Sequence, residues 1–169
     1  MAILNSEHLL DQAQRLTVAP TAGPPRQVDV RRAISASYYA VFHFILTRAA
    51  DEFVGKTKRN EQRYALVYRS IDHRALKELC AETRKQTLSA KYQRHAPGNG
   101  FGSNIQAFAG GLVDLQEKRH AADYDPSIRV ATSDAKLAIS MAKSAIRRFD
   151  QSSPKRQKTF LTLLVFPPR

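Results

Sequence analysis

The sequence has few of the residues that carry covalent or metal chemistry. Its 169 residues include one cysteine, no tryptophan and five scattered histidines. A single cysteine excludes a disulfide framework, and no group of residues has the spacing of metal ligands. We therefore expect no metal and no cofactor. Cys80 lies on an apolar helical stripe and is interpreted as a small core residue.

Long apolar runs are also lacking. Between positions 33 and 46 only two serines and one histidine are neither apolar nor aromatic, and arginines flank this stretch. Fourteen residues are too few to cross a bilayer, which needs about 20. The N-terminal residues include acidic side chains where a signal peptide has basic ones. We expect a cytoplasmic protein without membrane association.

Helical periodicity dominates the chain. A helix that is apolar all round is buried all round, so residues 28–54 are predicted to form a central helix, with Asp29 capping its start and Gly55 ending it. Amphipathic patterns predict further helices at 5–16, 61–70, 73–90, 103–122 and 132–149. The predicted fold is an all-α, up-and-down bundle of four long helices plus a short one, in which the long helices are 28–54, 73–90, 103–122 and 132–149.

The C-terminal segment departs from this pattern. Residues 1–150 are assigned to the bundle and 151–169 to a tail with four basic and no acidic side chains. Its segment TFLTLLVF, residues 159–166, is too apolar to be left in water and would otherwise be an aggregation hazard. We expect this tail to dock on the bundle or on a partner subunit.

Positive charge is concentrated in the middle of the chain. The formal net charge is +12, and residues 55–101 contain eleven basic against four acidic side chains. This excess favours a polyanion, RNA first, through counterion release. The alternative is that the cations serve only solubility. The residues predicted to bind RNA are Lys56, Lys58, Arg59, Arg63, Arg69 and Arg74.

Tyr64 and Tyr68 are four residues apart, beside two of these arginines. Aromatic rings interleaved with arginines can stack on single-stranded RNA. Rings at helical spacing more often anchor a helix in the core. The spacing of the two tyrosines is compatible with either role.

Two segments resemble a known family. The central RRAISASYYAVFHF is similar to the second helix of small HEPN-domain proteins, and KRHAADYDP at 118–126 resembles the arginine-rich end of a later HEPN helix. The two occur in the expected order. The resemblance implies a HEPN-type bundle, RNA association, a homodimer, and a role in a toxin–antitoxin or defence-type system.

In catalytically active members of this family, a histidine follows the arginine by a few residues. The resemblance implies metal-independent RNA cleavage, in which the arginine stabilises the phosphorane and the histidine moves a proton. Here Arg119 matches, but Asp123 and Tyr124 occupy the histidine positions and His120 follows the arginine directly. The Arg-His motif is therefore degenerate.

Three functions remain open. The first is an RNA-associated protein with a degenerate motif. The second is an active endoribonuclease with a composite dimer site, using Arg119 with His120, His43 or Tyr124. The third is a non-catalytic subunit that pairs with a nucleotidyltransferase.

Two structural alternatives compete with these chemical roles. Arg119 and Asp123 are one helical turn apart and can form an ordinary salt bridge. His43 lies one turn after Tyr39, so both are expected to face the same seam as Arg119, or His43 is a buried, hydrogen-bonded residue without a chemical role.

A homodimer is predicted from three features. They are the all-round apolarity of residues 33–46, the glycine pair at 110 and 111, and the apolar tail. A twofold-related copy would cover these surfaces.

Overall fold

Helices make up the fold throughout. The computed structural model describes residues 3–19, 21 and 23–168, and within these ranges it contains α-helices, one short 3₁₀ helix and no strand. The elements are α1 (Ser6–Leu16), α2 (Gln27–Phe53), the 3₁₀ helix (Lys56–Lys58), α3 (Gln62–Ser70), α4 (His73–Thr83), α5 (Ala90–Gln93), α6 (Gly102–Tyr124), α7 (Thr132–Asp150) and α8 (Pro154–Val165). The all-α prediction is confirmed. No helix in these ranges is both long and apolar enough to cross a membrane.

The predicted count of four long helices plus a short one is wrong. The segment 73–90, predicted as one helix, ends at Thr83, because the buried Glu82 carboxylate accepts hydrogen bonds from Lys85 and from the amide of Ser89 and so stabilises a turn. The chain then continues into α5. The tail is also helical: Ser153 caps α8.

Helix α2 is the centre of the bundle, as its composition predicts. Fourteen of its 27 residues are buried, and it packs against α1, α3, α6, α7 and α8. Its predicted N-cap is wrong, because the helix begins at Gln27 and Asp29 pairs with the guanidinium of Arg26 at 2.7 Å. Gly55 follows the end of the helix with a φ of 111°, a conformation that favours glycine.

The three features that predicted a dimer are accounted for within one chain. Five helices cover α2. A Cβ on Gly111 would lie 3.3 Å from the Cβ of Ala145, so this glycine lets α6 and α7 approach closely. Four apolar side chains of α8 are buried in the core, namely Phe160, Leu161, Leu163 and Leu164. A homodimer stays a prediction, without support from these features.

The loop before α6 is held by Arg156 of α8. Its Nε donates to the carbonyl of Gly100 at 3.2 Å. Its guanidinium lies against Gly102, where an added Cβ would be 2.6 Å from Nη1 and 2.7 Å from Cζ. Phe101, between the two glycines, packs edge-on against Phe160 with ring centres 6.4 Å apart. These contacts join the start of α6 to α8.

Gly102→Ala is expected to lower the free energy of unfolding more than Gly100→Ala. Both glycines have positive φ, 77° and 71°, where an L side chain costs roughly 1–2 kcal/mol. A Cβ at Gly100 meets nothing within 4 Å, so only the Gly102 variant must also displace Arg156. Urea denaturation of both variants measures the difference. Equal losses would mean that Arg156 moves aside at no cost.

Candidate functional site

Polar side chains from four helices meet in the otherwise apolar bundle, at the C-terminal end of α6. The last two turns of α6 contribute a cation and a carboxylate. The other side chains come from the middle turns of α2, from the last turn of α3 and from the first residue of α4. We call this group the Arg119 seam. Its members are Ser35, Tyr38, Tyr39, His43, Tyr68, His73, Arg119, Asp123 and Tyr124.

Arg119 is enclosed by aromatic rings and one carboxylate. Its Cζ lies 5.5 Å from the ring centre of Tyr38, 5.3 Å from that of Tyr39 and 5.8 Å from that of Tyr124. Its Nε donates to Asp123 at 3.0 Å, and the side chain is only 14% exposed. Cation–π contacts strengthen when water is excluded. The guanidinium is therefore fixed in orientation before any ligand binds.

Asp123 does more than neutralise Arg119. Its Oδ2 accepts from Arg119, while its Oδ1 accepts from the hydroxyl of Ser35 on α2. The Nη2 of Arg119 also donates to the hydroxyl of Tyr124 at 3.3 Å. The salt bridge expected from helical spacing is thus present, and it is part of a network that ties α6 to α2.

Two histidines of this seam share aromatic neighbours with Arg119: His43 packs on Tyr39, and His73 packs on Tyr38 and Tyr39. Nδ1 of His73 is 2.7 Å from the hydroxyl of Tyr38, and Nδ1 of His43 is 2.7 Å from that of Tyr68. The His43 ring stacks on Tyr39 at 6.0 Å. Tyr39 and His43 therefore face the seam together with Arg119, as their spacing predicts. With Nδ1 engaged, only Nε2 of each histidine is left to exchange a proton with a ligand.

The environment keeps both imidazoles neutral. Burial lowers the pKa of His43, and the nearby His73 lowers it further. Burial also lowers the pKa of His73, with a second contribution from the charge of Arg119 that outweighs the opposing effect of Asp72. Neutral imidazoles near a fixed cation are suited to hydrogen bonding or proton transfer at a phosphate.

Arg31 of α2 fixes the helix end that carries this site. Its Nη1 donates to the carbonyls of Ala122 at 2.8 Å and Asp125 at 2.9 Å, and its Nη2 donates to that of Ile128. Carbonyls at a helix C-terminus need partners from outside the helix. The first turns of α2 therefore hold the last turn of α6 in place.

The other two residues predicted to be catalytic lie at the edge of the seam. Tyr124 is 62% exposed, although its hydroxyl contacts Arg119. His120 is exposed, and its ring centre is 5.0 Å from that of Tyr124. Adjacent residues of a helix point about 100° apart, which places His120 on the solvent side. His120 and Tyr124 line a crevice that borders the seam, and Arg119 lines it as well.

The six cations predicted to bind RNA differ in their surroundings. Three form ion pairs: Arg59 with Asp51, Arg63 with Glu61, and Arg74 with Glu78. Lys56, Lys58 and Arg69 have no carboxylate within 4.0 Å in the described part of the chain. Arg69 directly follows Tyr68 and so lies nearest the seam in sequence.

The aromatic residues between these cations belong to the core. Tyr64 is 0% and Tyr68 9% exposed. The hydroxyl of Tyr64 donates to Asp51 at 2.9 Å. The interpretation that these two rings stack on RNA is therefore wrong, and their role as helix anchors is confirmed.

Metal and thiol chemistry find no support in residues 3–19, 21 and 23–168. No three side chains of His, Cys, Asp or Glu in these ranges are placed to hold a metal ion. Cys80 is fully buried, and burial raises the pKa of its thiol. It packs as an apolar side chain.

Sequence reasoning missed three members of the seam, namely Ser35, Tyr38 and His73. His73 is four residues after Arg69, but a helix break separates the two, since α3 ends at Ser70 and α4 begins at His73. Asp72, which accepts from the amide of Ala75 at 2.7 Å, marks His73 as a first-turn residue. No sequence pattern links position 73 to position 38.

No family model, curated protein or solved structure matches the chain. The resemblance to HEPN-domain proteins, and a HEPN arrangement of the helices, therefore remain predictions from the two motifs.

Acidification is expected to destabilise the fold through His43 and His73. Their pKa values in the folded state lie below the ordinary value of about 6.5, so the unfolded chain binds more protons in the interval between. The stability that these two histidines contribute is therefore fully present above about pH 6.5, and it is lost as the pH falls through their pKa values in the folded state. Urea denaturation at pH 7.5 and pH 5.5 measures this loss.

The double variant His43→Gln, His73→Gln should lose less stability between these two pH values. The same substitutions at the exposed His8 and His95 control for the removal of two histidines. If the double variant keeps the full pH dependence of the unaltered protein, the seam histidines are not its cause.

Proposed function

We propose that the protein binds single-stranded RNA and that the Arg119 seam holds one phosphate of the strand. The enclosed guanidinium of Arg119 carries this proposal. Asp123 engages its Nε and Tyr124 its Nη2, which leaves N–H groups on Nη1 and Nη2 for a ligand. A planar guanidinium is suited to the oxygen pair of a phosphate, and the neighbouring imidazoles can add hydrogen bonds.

The cations around α3 provide a route to the seam. Helix α3 runs antiparallel to α2, because Tyr64 bonds to Asp51 while Tyr68 bonds to His43, further back along α2. Lys56 and Lys58 precede α3, and the exposed Arg69 lies near its other end, next in sequence to Tyr68 of the seam. Nine helical residues span about 13 Å. A strand lying along α3 would contact these cations through its phosphates, which positions RNA without reading its bases.

Binding is favoured over cleavage by the position of Asp123. This carboxylate lies where active HEPN proteins have a histidine, and it is occupied by Arg119 and Ser35. A carboxylate ion-paired in this way holds the arginine rather than moving a proton. We therefore place an RNA-associated protein with a degenerate motif first.

A metal-independent endoribonuclease is the second candidate, because His73 lies next to Arg119 and is neutral. Nε2 of the imidazole would take the proton of a ribose 2′-hydroxyl as that oxygen attacks the phosphorus. The P–O5′ bond would break, the leaving oxygen would take up a proton, and Arg119 would stabilise the developing charge. The product would carry a 2′,3′-cyclic phosphate. The nucleotidyltransferase partner remains a prediction of the family resemblance alone.

Arg119→Ala is expected to weaken binding of a labelled single-stranded RNA by about 10- to 100-fold, the value of hydrogen bonds to one charged group. Fluorescence anisotropy measures the affinity, and circular dichroism checks the fold. Arg147→Ala, which removes an exposed arginine of α7, is the charge-matched control. Equal affinities of the two variants would refute a phosphate site at the seam.

The same proteins distinguish binding from cleavage. RNA incubated in EDTA with the unaltered chain is analysed for 2′,3′-cyclic phosphate ends. Ends that disappear in both Arg119→Ala and His73→Gln would establish the second candidate, whereas intact RNA would support the first.

Replacing Lys56, Lys58 and Arg69 together by glutamine should flatten the plot of log K against log salt by roughly two. Each phosphate contact of a single strand contributes about 0.7 to that slope. The control triple replaces Lys136, Lys143 and Arg147, exposed cations of α7. An unchanged slope in the first triple would show that these cations form a solvated face only.

A further inference from the structure

A crevice of about 630 Å³ lies beside the Arg119 seam, between the end of α6 and Lys77 of α4. Arg119 belongs to both, so a ligand that contacts Arg119 in the seam can extend into the crevice. The side chains that matter here are Lys77, Gln116, Glu117, Arg119, His120, Tyr124 and Asp125.

The crevice carries no net charge. Its two cations, Lys77 and Arg119, are matched by the carboxylates of Glu117 and Asp125. A second phosphate would gain little from such a surface, because attraction and repulsion offset each other. An uncharged group that is attached to a phosphate fits this charge pattern better.

An aromatic platform forms one wall of the crevice. The Tyr124 side chain is 62% exposed, and the ring of His120 lies 5.0 Å away at an interplanar angle of 50°. Arg119 holds Tyr124 in place through its hydroxyl at 3.3 Å and through a ring contact at 5.8 Å. Exposed rings that are held in this way provide stacking surfaces for unpaired bases.

Gln116 adds an unsatisfied acceptor. Its Oε1 is buried and has no hydrogen-bond partner among the described residues, and the side chain lines the crevice. Such an acceptor is costly unless a donor reaches it. Rotation of the amide would present Oε1 to the exocyclic amino group of adenine, cytosine or guanine, which uracil lacks.

We propose that this crevice binds one unpaired nucleobase of the RNA strand, stacked on Tyr124 and flanked by His120, while the adjoining phosphate lies on Arg119. This inference rests on the proposed RNA binding and adds a base subsite to it. It also gives a role to His120 and Tyr124, which the seam itself does not use as proton carriers.

The test compares Tyr124→Leu with Tyr124→Phe. Both variants lose the hydroxyl that contacts Arg119, but only the leucine variant loses the ring. With a fluorescein-labelled oligo(A) strand in an anisotropy assay, Tyr124→Leu should weaken binding about 5- to 150-fold, the value of one base stack. Tyr124→Phe should bind nearly as well as the unaltered chain. The salt slope should be the same in all three, because a stack releases no counterions.

A strand of the same length that lacks its bases isolates the base contribution. The unaltered protein should bind this abasic strand about as weakly as Tyr124→Leu binds oligo(A), and Tyr124→Leu should bind it no more weakly than the unaltered chain does. A preference for oligo(A) over oligo(U) that is lost in Gln116→Met would assign the acceptor.

The outcomes separate the two proposals. Equal affinities of Tyr124→Leu and the unaltered chain for oligo(A), or equal losses in the leucine and phenylalanine variants, would overturn the base subsite and leave RNA binding in place. Failure of the unaltered protein to bind any single-stranded RNA would overturn both. Because Tyr124 is exposed, both variants are expected to fold, and circular dichroism verifies this.

Discussion

Burial of the apolar middle of α2, residues 33–46, is the constraint on which the rest of this structure depends. This stretch has no continuous polar face and must be covered by other helices, and α1, α3, α6, α7 and α8 pack against α2. Its polar groups then need partners inside the bundle. Ser37 finds one in the carbonyl of Ala33 at 2.8 Å, whereas Ser35, Tyr38 and His43 find theirs on other helices.

The Arg119 seam is the result of this requirement. Ser35, Tyr38 and His43 of α2 pair with groups from α6, α4 and α3, so removal of one partner leaves another unsatisfied, at a cost of about 1–3 kcal/mol. The same network holds a guanidinium and two neutral imidazoles at fixed positions. The residues that satisfy the buried polar groups of α2 are thus the same residues that could bind or act on a ligand. Measurements of RNA binding and cleavage distinguish the two roles.

Charge acts at two ranges in this molecule. The excess of cations in residues 55–101 lies largely at the surface, where it creates a positive field that salt screens. Arg119 is mostly enclosed, so it contributes orientation and short-range contacts instead. In the proposed function, the surface cations would attract the strand, Arg119 would hold one phosphate, and the exposed ring of Tyr124 would stack on one base.

The sequence by itself determined the all-α class, the central position of α2, the Arg119–Asp123 pair and the shared face of Tyr39 and His43, because helical periodicity is a local property that spacing reveals. Only the tertiary structure decided that the tail forms α8, that Tyr64 and Tyr68 are buried, and that His73 joins the seam. Position 73 meets position 38 because α4 packs on α6, which itself packs on α2, and no local pattern encodes a contact between separate helices. The physical reason is that contacts between side chains of different helices depend on how those helices pack around α2, and this packing is determined by the whole chain together.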